Sequence, residues 1–500
     1  MVIVITVYEP KPPVADANAE GVRPVKCSIR TGVVGWALAG AAILCVADGA
    51  AGQDFGGAWP NYSGGKPFVI AFPAGLRAHR ALGGLFVHDV DGDGLMEYIV
   101  SVPGQLAVFD WDGSLLWRRP TAQRLHAGAS AGENLPGSNH PGVFAIGAEI
   151  GYVTSGGELV VHDAVSGAVL RQRDGFDGAQ VALAARFTSR GREVLLQYDQ
   201  RAVAAVDIDD FHELWRSSEY LGFDHSPAFV ADVDGDGLDE VLGPLSLAAD
   251  GTPLPRPAYP EGTSLLAVDS AAFADLDGDG VVEMVLAEQG GNNATLAVRP
   301  TDGGLLWSNT ERPAHPTGSC AREIDPDKLA AGDFVPSVPG IETFVRSACG
   351  REPWVIGADG RTLKHFQVAD VVPPGWFLGP IGAGGEETEG GIDVAGALDW
   401  HGNDHANRLL VFKERAVDGD IGVLNLEPDP PALGFRLQRQ ALLVYAADIA
   451  GDHREEIIVL ERGRILVEYH DGEPRTLRQR LWSDPFYARR KQNWNYYRTY

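Results

Sequence analysis

Cysteine is scarce in this chain: four residues in 500, of which Cys27 and Cys45 fall in the first fifty positions. No pair has the spacing of a zinc or iron–sulfur ligand set, which excludes thiolate metal chemistry. Cys320 and Cys349 are left either to close one disulfide or to stay as free thiols. Positive charge is also short, with 41 Lys+Arg against 68 Asp+Glu for a formal net charge of -27. So acidic a surface repels phosphate backbones, and nucleic acid is not an expected partner. Long helical runs of Ala, Leu, Glu and Lys are missing, which argues against a helical bundle or a doubly wound α/β enzyme. Only one long apolar run exists, Gly32–Val46, and it is too short for a membrane-spanning helix.

That run follows the basic residues Lys26 and Arg30 and leads into the small residues Ala47, Gly49, Ala50 and Ala51. This is the order of a secretory signal with an atypically long lead, so residues 1–51 read as a signal peptide and the mature protein as secreted or periplasmic. An uncleaved segment is the one route by which the chain would hold to a membrane. What is plentiful is glycine, 62 residues, and proline, 32, with no collagen-like period. Many tight turns between short strands, hence an all-β fold, follow from that composition.

Three near-copies dominate the rest. They are Asp89-Val90-Asp91-Gly92-Asp93-Gly94-Leu95-Met96-Glu97, Asp232-Val233-Asp234-Gly235-Asp236-Gly237-Leu238-Asp239-Glu240 and Asp275-Leu276-Asp277-Gly278-Asp279-Gly280-Val281-Val282-Glu283. Each stands between apolar strand-like runs, and the interval from Asp232 to Asp275 is that of one four-stranded blade, about 40–45 residues. Carboxylates at the first, third and fifth positions of a glycine-bearing turn converge on a hard cation such as Ca2+. An EF-hand would place its bidentate glutamate at position twelve, where Val100, Gly243 and Leu286 stand. Here the acid comes at position nine. Without a cation, four acids in nine residues would be a solvated hairpin turn under strong self-repulsion.

A second element recurs at Asp112-Gly113-Ser114-Leu115-Leu116-Trp117 and Asp302-Gly303-Gly304-Leu305-Leu306-Trp307, with a weaker copy at Asp210–Trp215. Asp-Gly before alternating apolar residues marks a hairpin, and the tryptophan reads as a plug between neighbouring blades rather than a ligand platform. Degenerate loops at Asp333, Asp399 and Asp448, together with loop-free strand pairs near Val143–Tyr152 and Ala182–Gln197, bring the count to eight blades, with seven as the alternative. Asp448, Asp452 and Glu456 form a weaker fourth cation site. A single propeller of four-stranded antiparallel blades is expected over 55–500, entered by a short strand near Pro67–Phe72 that helps close the ring.

The nonapeptides resemble the calcium loops of FG-GAP/VCBS repeats, known from integrin-type propellers and secreted bacterial proteins. Three further segments look like the carboxy-terminal half of rhamnogalacturonan lyase family 11. These are Asp448-Ile449-Ala450-Gly451-Asp452-His453-Arg454-Glu455-Glu456, Gly332-Asp333-Phe334 with Pro339-Gly340-Ile341-Glu342, and Asp484-Pro485-Phe486-Tyr487 with Asn493-Trp494-Asn495-Tyr496-Tyr497. The resemblance implies an eight-bladed calcium propeller that cleaves acidic polysaccharide by β-elimination.

Such a reaction needs a base for the proton α to a uronate carboxylate and a cationic partner for that carboxylate. In a propeller these groups come from the segments just before the innermost strands, which here supply His140, His225, Asp269, Arg322, Asp393 and Tyr445. His140 or His225 is the candidate base and Arg322 the carboxylate partner, with Asp269, Tyr445 and Trp494 as candidate substrate contacts. Taken singly, each also reads as a structural or surface residue. Trp494, Tyr496 and Tyr497 read either as a stacking platform for sugar rings or as packing that closes the last strand. A monomer is expected in either case; the alternatives are a non-catalytic propeller that binds glycan or protein at the cell surface and a purely structural surface protein. A converging pocket of His, Arg and Tyr separates the first reading from the second.

Overall fold

The computed structural model describes residues 68–79, 81–127, 135–137, 140–311, 325–347, 350–374, 391–401, 406–412, 419–439, 441–449, 454–468 and 481–493. The segment 1–51, Cys320, Arg322, Cys349, Asp452 and Trp494 lie outside them. The described chain folds into eight antiparallel sheets, seven of four strands and one of two. Successive sheets pack so that the first strand of one touches the first strand of the next, as for Val268–Ala274 against Pro326–Gly332, and Leu443–Ala447 against Gly84–His88. This is the eight-bladed propeller expected from the repeat count, and the strand pairs near Val143–Tyr152 and Ala182–Gln197 open its second and third blades.

The middle strands are buried on both faces because a blade is covered by neighbours on either side. Glu97–Val102, Glu283–Glu288 and Glu456–Glu461 are buried at every position, and the four residues after each leading glutamate are apolar except for Ser101. Outermost strands face solvent, and Ala432–Arg439 alternates exposed and half-buried residues along its length. Blade 4 departs from the pattern. Its sheet holds only Phe229–Ala231 and Glu240–Leu242, continued by the single bridges Val241 to Leu247 and Leu247 to Pro253. Pro244, Pro253, Pro255 and Pro257 remove the N–H donors that outer strands there would need.

The tryptophans act as inter-blade plugs. Trp117 donates its indole N–H to the carbonyl of Ala164 at 2.6 Å, Trp215 to that of Ala249 at 2.8 Å and Trp307 to that of Ala358 at 3.0 Å, each in the next blade. The ring lies flat against the turn glycine of that blade. A Cβ on Gly251 or Gly360 would stand 2.6 or 2.5 Å from the indole, and both glycines have positive φ, so no other residue fits.

Blade 8 is closed by the strand expected near Pro67–Phe72: Phe68–Ala71 pairs antiparallel with Arg464–Val467 as the outermost strand of the last sheet. The described residues 481–493 are helical. After Asp484, whose side chain caps the N–H of Phe486 at 2.9 Å, Pro485–Gln492 forms a helix with Arg489, Arg490 and Lys491 in its final turn. It packs on the first strands of blades 1 and 4, across the end of the channel where those strands finish. Phe486 meets Phe229 edge-on at 5.9 Å, Gln492 bonds His88 at 3.0 Å and Tyr487 is buried. The helix is held by acids of blades diametrically opposed in the ring: Arg489 pairs with Asp239 of blade 4 at 2.9 Å, and Lys491 with Glu455 of blade 8 at 2.6 Å. His88 lies half-buried beside it, and desolvation pushes its imidazole down to about 4, so it stays neutral.

Candidate functional site

Because every blade is entered by its innermost strand, the acidic loops gather at the end of the channel that the helix covers, and the segments before the innermost strands gather at the other. The loop ends share one architecture. In the first, Asp89 accepts the N–H groups of Gly92 and Gly94 at 2.8 and 2.9 Å, and Asp91 and Asp93 accept those of Asp93 and Leu95. The loops from Asp232 and Asp275 repeat these bonds residue for residue. The closing glutamates Glu97, Glu240, Glu283, Glu342 and Glu456 each accept the N–H seven residues upstream, at 2.7–3.0 Å.

Donor oxygens of Asp89, Asp91 and Glu97 lie within 4.8 Å of one another, as do those of Asp232, Asp234 and Asp236, and of Asp275, Asp277 and Asp279. Glu97 is 1% exposed, and its second oxygen is buried with no hydrogen-bond partner. An all-oxygen set with an orphaned buried acceptor suits a hard divalent cation. Burial, then the charges of the neighbouring aspartates, pushes Glu97 and Glu240 up to about 8. In the degenerate fourth loop Asp448 and Glu456 are buried, and the backbone N–H of Asp448 donates to the hydroxyl of Tyr487 on the helix.

At the opposite end, His225 precedes the first strand of blade 4. Its Nε2 stands 3.5 Å from Asp224 and 3.6 Å from Asp269, which begins blade 5, so the three form a cluster of potential ligands or of a base with its orienting carboxylates. The polar arc continues around the ring. Gln289 reaches Asp327 at 3.3 Å, Arg346 pairs with Asp327 at 2.5 Å and with Asp393 at 2.8 Å, and Lys328 pairs with Asp393 at 2.7 Å. Burial lowers the Lys328 ammonium to about 8 against the pull of Asp393.

Of the residues singled out in the sequence, His225 and Asp269 are therefore brought together, and Asp393 joins the same arc. His140, on blade 2, is 2% exposed and uses Nδ1 to accept the N–H of Gly142 at 3.0 Å, where it shapes the turn into its strand. Tyr445 is fully buried and donates its hydroxyl to the Lys491 carbonyl at 2.9 Å, which groups it with the helix rather than with His225. Lys328 and Arg346 were missed by the sequence reading. Their signal was one positive charge in each of the fully buried strands Pro326–Gly332 and Glu342–Ser347.

No protein-family model matches the chain, and no curated protein matches it in sequence. Among the described residues no helix is long and apolar enough to cross a membrane. Solved structures do resemble it. A Bacillus licheniformis rhamnogalacturonan lyase, PL11, superposes with a TM-score of 0.57 at 16% identity, covering 87% of this chain and 81% of its own. The rhamnogalacturonan lyase YesW does so with a TM-score of 0.55 at the same identity and coverage. At such identity the likeness is one of fold: the chain has the propeller architecture found in these lyases.

Proposed function

We propose that the protein is a secreted or periplasmic propeller, stabilised by Ca2+ in its acidic loops, that cleaves acidic polysaccharide of the rhamnogalacturonan type by β-elimination. The observation that carries this reading is the His225–Asp224–Asp269 cluster, at the end of the channel opposite the helix and beside a buried Lys328–Asp393–Arg346 arc. His225 removes the proton α to the uronate carboxylate, and Asp269 holds the imidazole and stabilises its charged form once the proton has moved. Electrons of the broken C–H bond form the C4–C5 double bond as the glycosidic oxygen departs from C4 and takes up a proton from water to become a hydroxyl. Arg322 stands as the carboxylate partner.

β-Elimination leaves an unsaturated uronate, so protein incubated with rhamnogalacturonan and calcium is expected to generate ultraviolet absorbance, with pectin and ulvan as comparison substrates. Saturable binding to one of these without any absorbance rise moves the reading to a non-catalytic glycan-binding propeller.

Loop occupancy has its own test. A cation that binds only the folded state stabilises it, so chelator is expected to lower Tm. The effect depends on pH. In the cation-free protein Glu97 and Glu240 titrate near 8 when folded and near 4.5 when unfolded. Their contribution to stability is fully present below 4.5 and is lost as pH rises through about 8. The Tm drop on chelation is therefore expected to be larger at about pH 8 than at about pH 5, and an equal Tm with and without chelator at both removes the calcium claim.

A further inference from the structure

The three acidic loops have nearly one sequence and one hydrogen-bond pattern, yet the residue that faces each of them from the third strand differs. In blade 1 Tyr98 pairs with Phe109, in blade 4 Val241 with Leu247, and in blade 5 Met284 with Val298. Directly after Phe109, Leu247 and Val298 comes the first residue beyond that pairing. These residues are Asp110, Ala248 and Arg299, and each donates its backbone N–H into the following turn, to Ser114, Thr252 and Gly304 at 2.7–2.8 Å. The position is thus the same in all three blades, and its charge runs from negative through neutral to positive.

The consequence is direct in blade 5. The Arg299 guanidinium contacts Asp279 at 2.7 Å, Glu283 at 3.2 Å and Asp277 at 3.3 Å, three of the four acids of its loop. It bonds the glutamate oxygen whose counterpart in blade 1, on Glu97, is buried with no partner. In blade 1 the facing residue is instead a fifth acid, coupled electrostatically to Asp91 and Asp93.

We infer that the loops are graded by this single position: the Asp89 loop binds a divalent cation most tightly, the Asp232 loop less so, and the Asp275 loop is closed by the chain's own guanidinium in place of an ion. The inference rests on the reading of the loops as cation sites and deepens it. A unit of charge next to a divalent ion in a partly solvated loop is worth roughly 10- to 100-fold in affinity.

Calorimetric titration of the chelator-stripped full chain with CaCl2, with native mass spectrometry to count bound ions, tests the grading. Asp89→Ala is expected to remove the tightest step, and Asp275→Ala to leave the tight steps of the parent protein unchanged. Arg299→Gln is expected to add a step about 10- to 100-fold tighter than any the Asp275 loop has in the parent, and adding Asp275→Ala to it abolishes the gain. Should Arg299→Gln fail to fold, Ala248→Arg gives the converse, a weakening of the Asp232 step by a similar factor. Loss of a tight step in Asp275→Ala alone, or an unchanged isotherm in both Arg299→Gln and Ala248→Arg, overturns the grading while leaving calcium binding intact. Absence of any bound calcium in the parent overturns the underlying reading as well.

Discussion

Glu455→Ala is expected to lower the unfolding free energy by about 3–5 kcal/mol, the cost of leaving a buried charge without its partner. Glu455 and Lys491 are each 3% exposed in their side chains and 2.6 Å apart. The same carboxylate accepts the Tyr487 hydroxyl at 2.9 Å and the N–H of Asp399, in the preceding blade, at 2.8 Å. One substitution thus strands an ammonium, a phenol and a backbone donor together. Burial works to raise the Glu455 carboxyl, but the Lys491 ammonium and these hydrogen bonds hold it below the ordinary range. Its contribution is present above the unfolded value near 4.5 and is lost as pH falls through the lower folded value, so the mutant and parent converge in acid. Urea titration at neutral pH reads the difference as a shift in midpoint. Glu455→Leu combined with Lys491→Met, which removes both charges, is expected to recover much of the loss. A Glu455→Ala unfolding free energy within about 1 kcal/mol of the parent would show that the helix is not coupled to the ring in this way.

The second large effect is catalytic. On a substrate that yields absorbance, His225→Ala is expected to lower kcat by roughly 10²–10⁴ while the melting curve in calcium stays in place. His140→Ala is expected to do the reverse, leaving kcat close to the parent and lowering Tm, because that imidazole holds the turn at Gly142. Asp269→Asn should reduce kcat less than His225→Ala and alter its pH profile, since an amide orients the ring without stabilising its protonated form. Full activity in His225→Ala would remove the base assignment.

The blade count was legible because the acidic loops and the Asp-Gly–Trp hairpins each carry a residue type that one backbone geometry demands. Gly251 and Gly360 cannot be other residues under an indole, and a glutamate that caps the N–H seven residues upstream has few substitutes. The amino-terminal strand could be placed for the same reason, as an apolar segment with no partner nearby in sequence. The helix across the channel was not legible. Arg489 and Lys491 are surrounded in sequence by other polar residues, and the acids that receive them, Asp239 and Glu455, stand immediately before loop glutamates in distant blades. Lys328 and Arg346 were obscure because they meet Asp393 only through the packing of separate blades. The contrast among Asp110, Ala248 and Arg299 required strand register, which no single repeat reveals.

The clasp of blade 8 also sets an order of events. Blades 1 to 7 pair strands that follow one another along the chain, and each can fold as it emerges. Phe68–Ala71, the first described strand to be synthesised, has no sheet to join until Arg464–Glu468 has been made. Its apolar face, Phe68 and Ile70, must wait through the synthesis of nearly the whole ring, and both residues end packed in the core shared by blades 1 and 8. A chain exported in an extended state meets this requirement without delay, since both ends arrive in the same compartment before either has to pair. A circular permutant that joins Phe68–Ala71 directly behind Glu468 would turn this pairing of distant segments into a local hairpin.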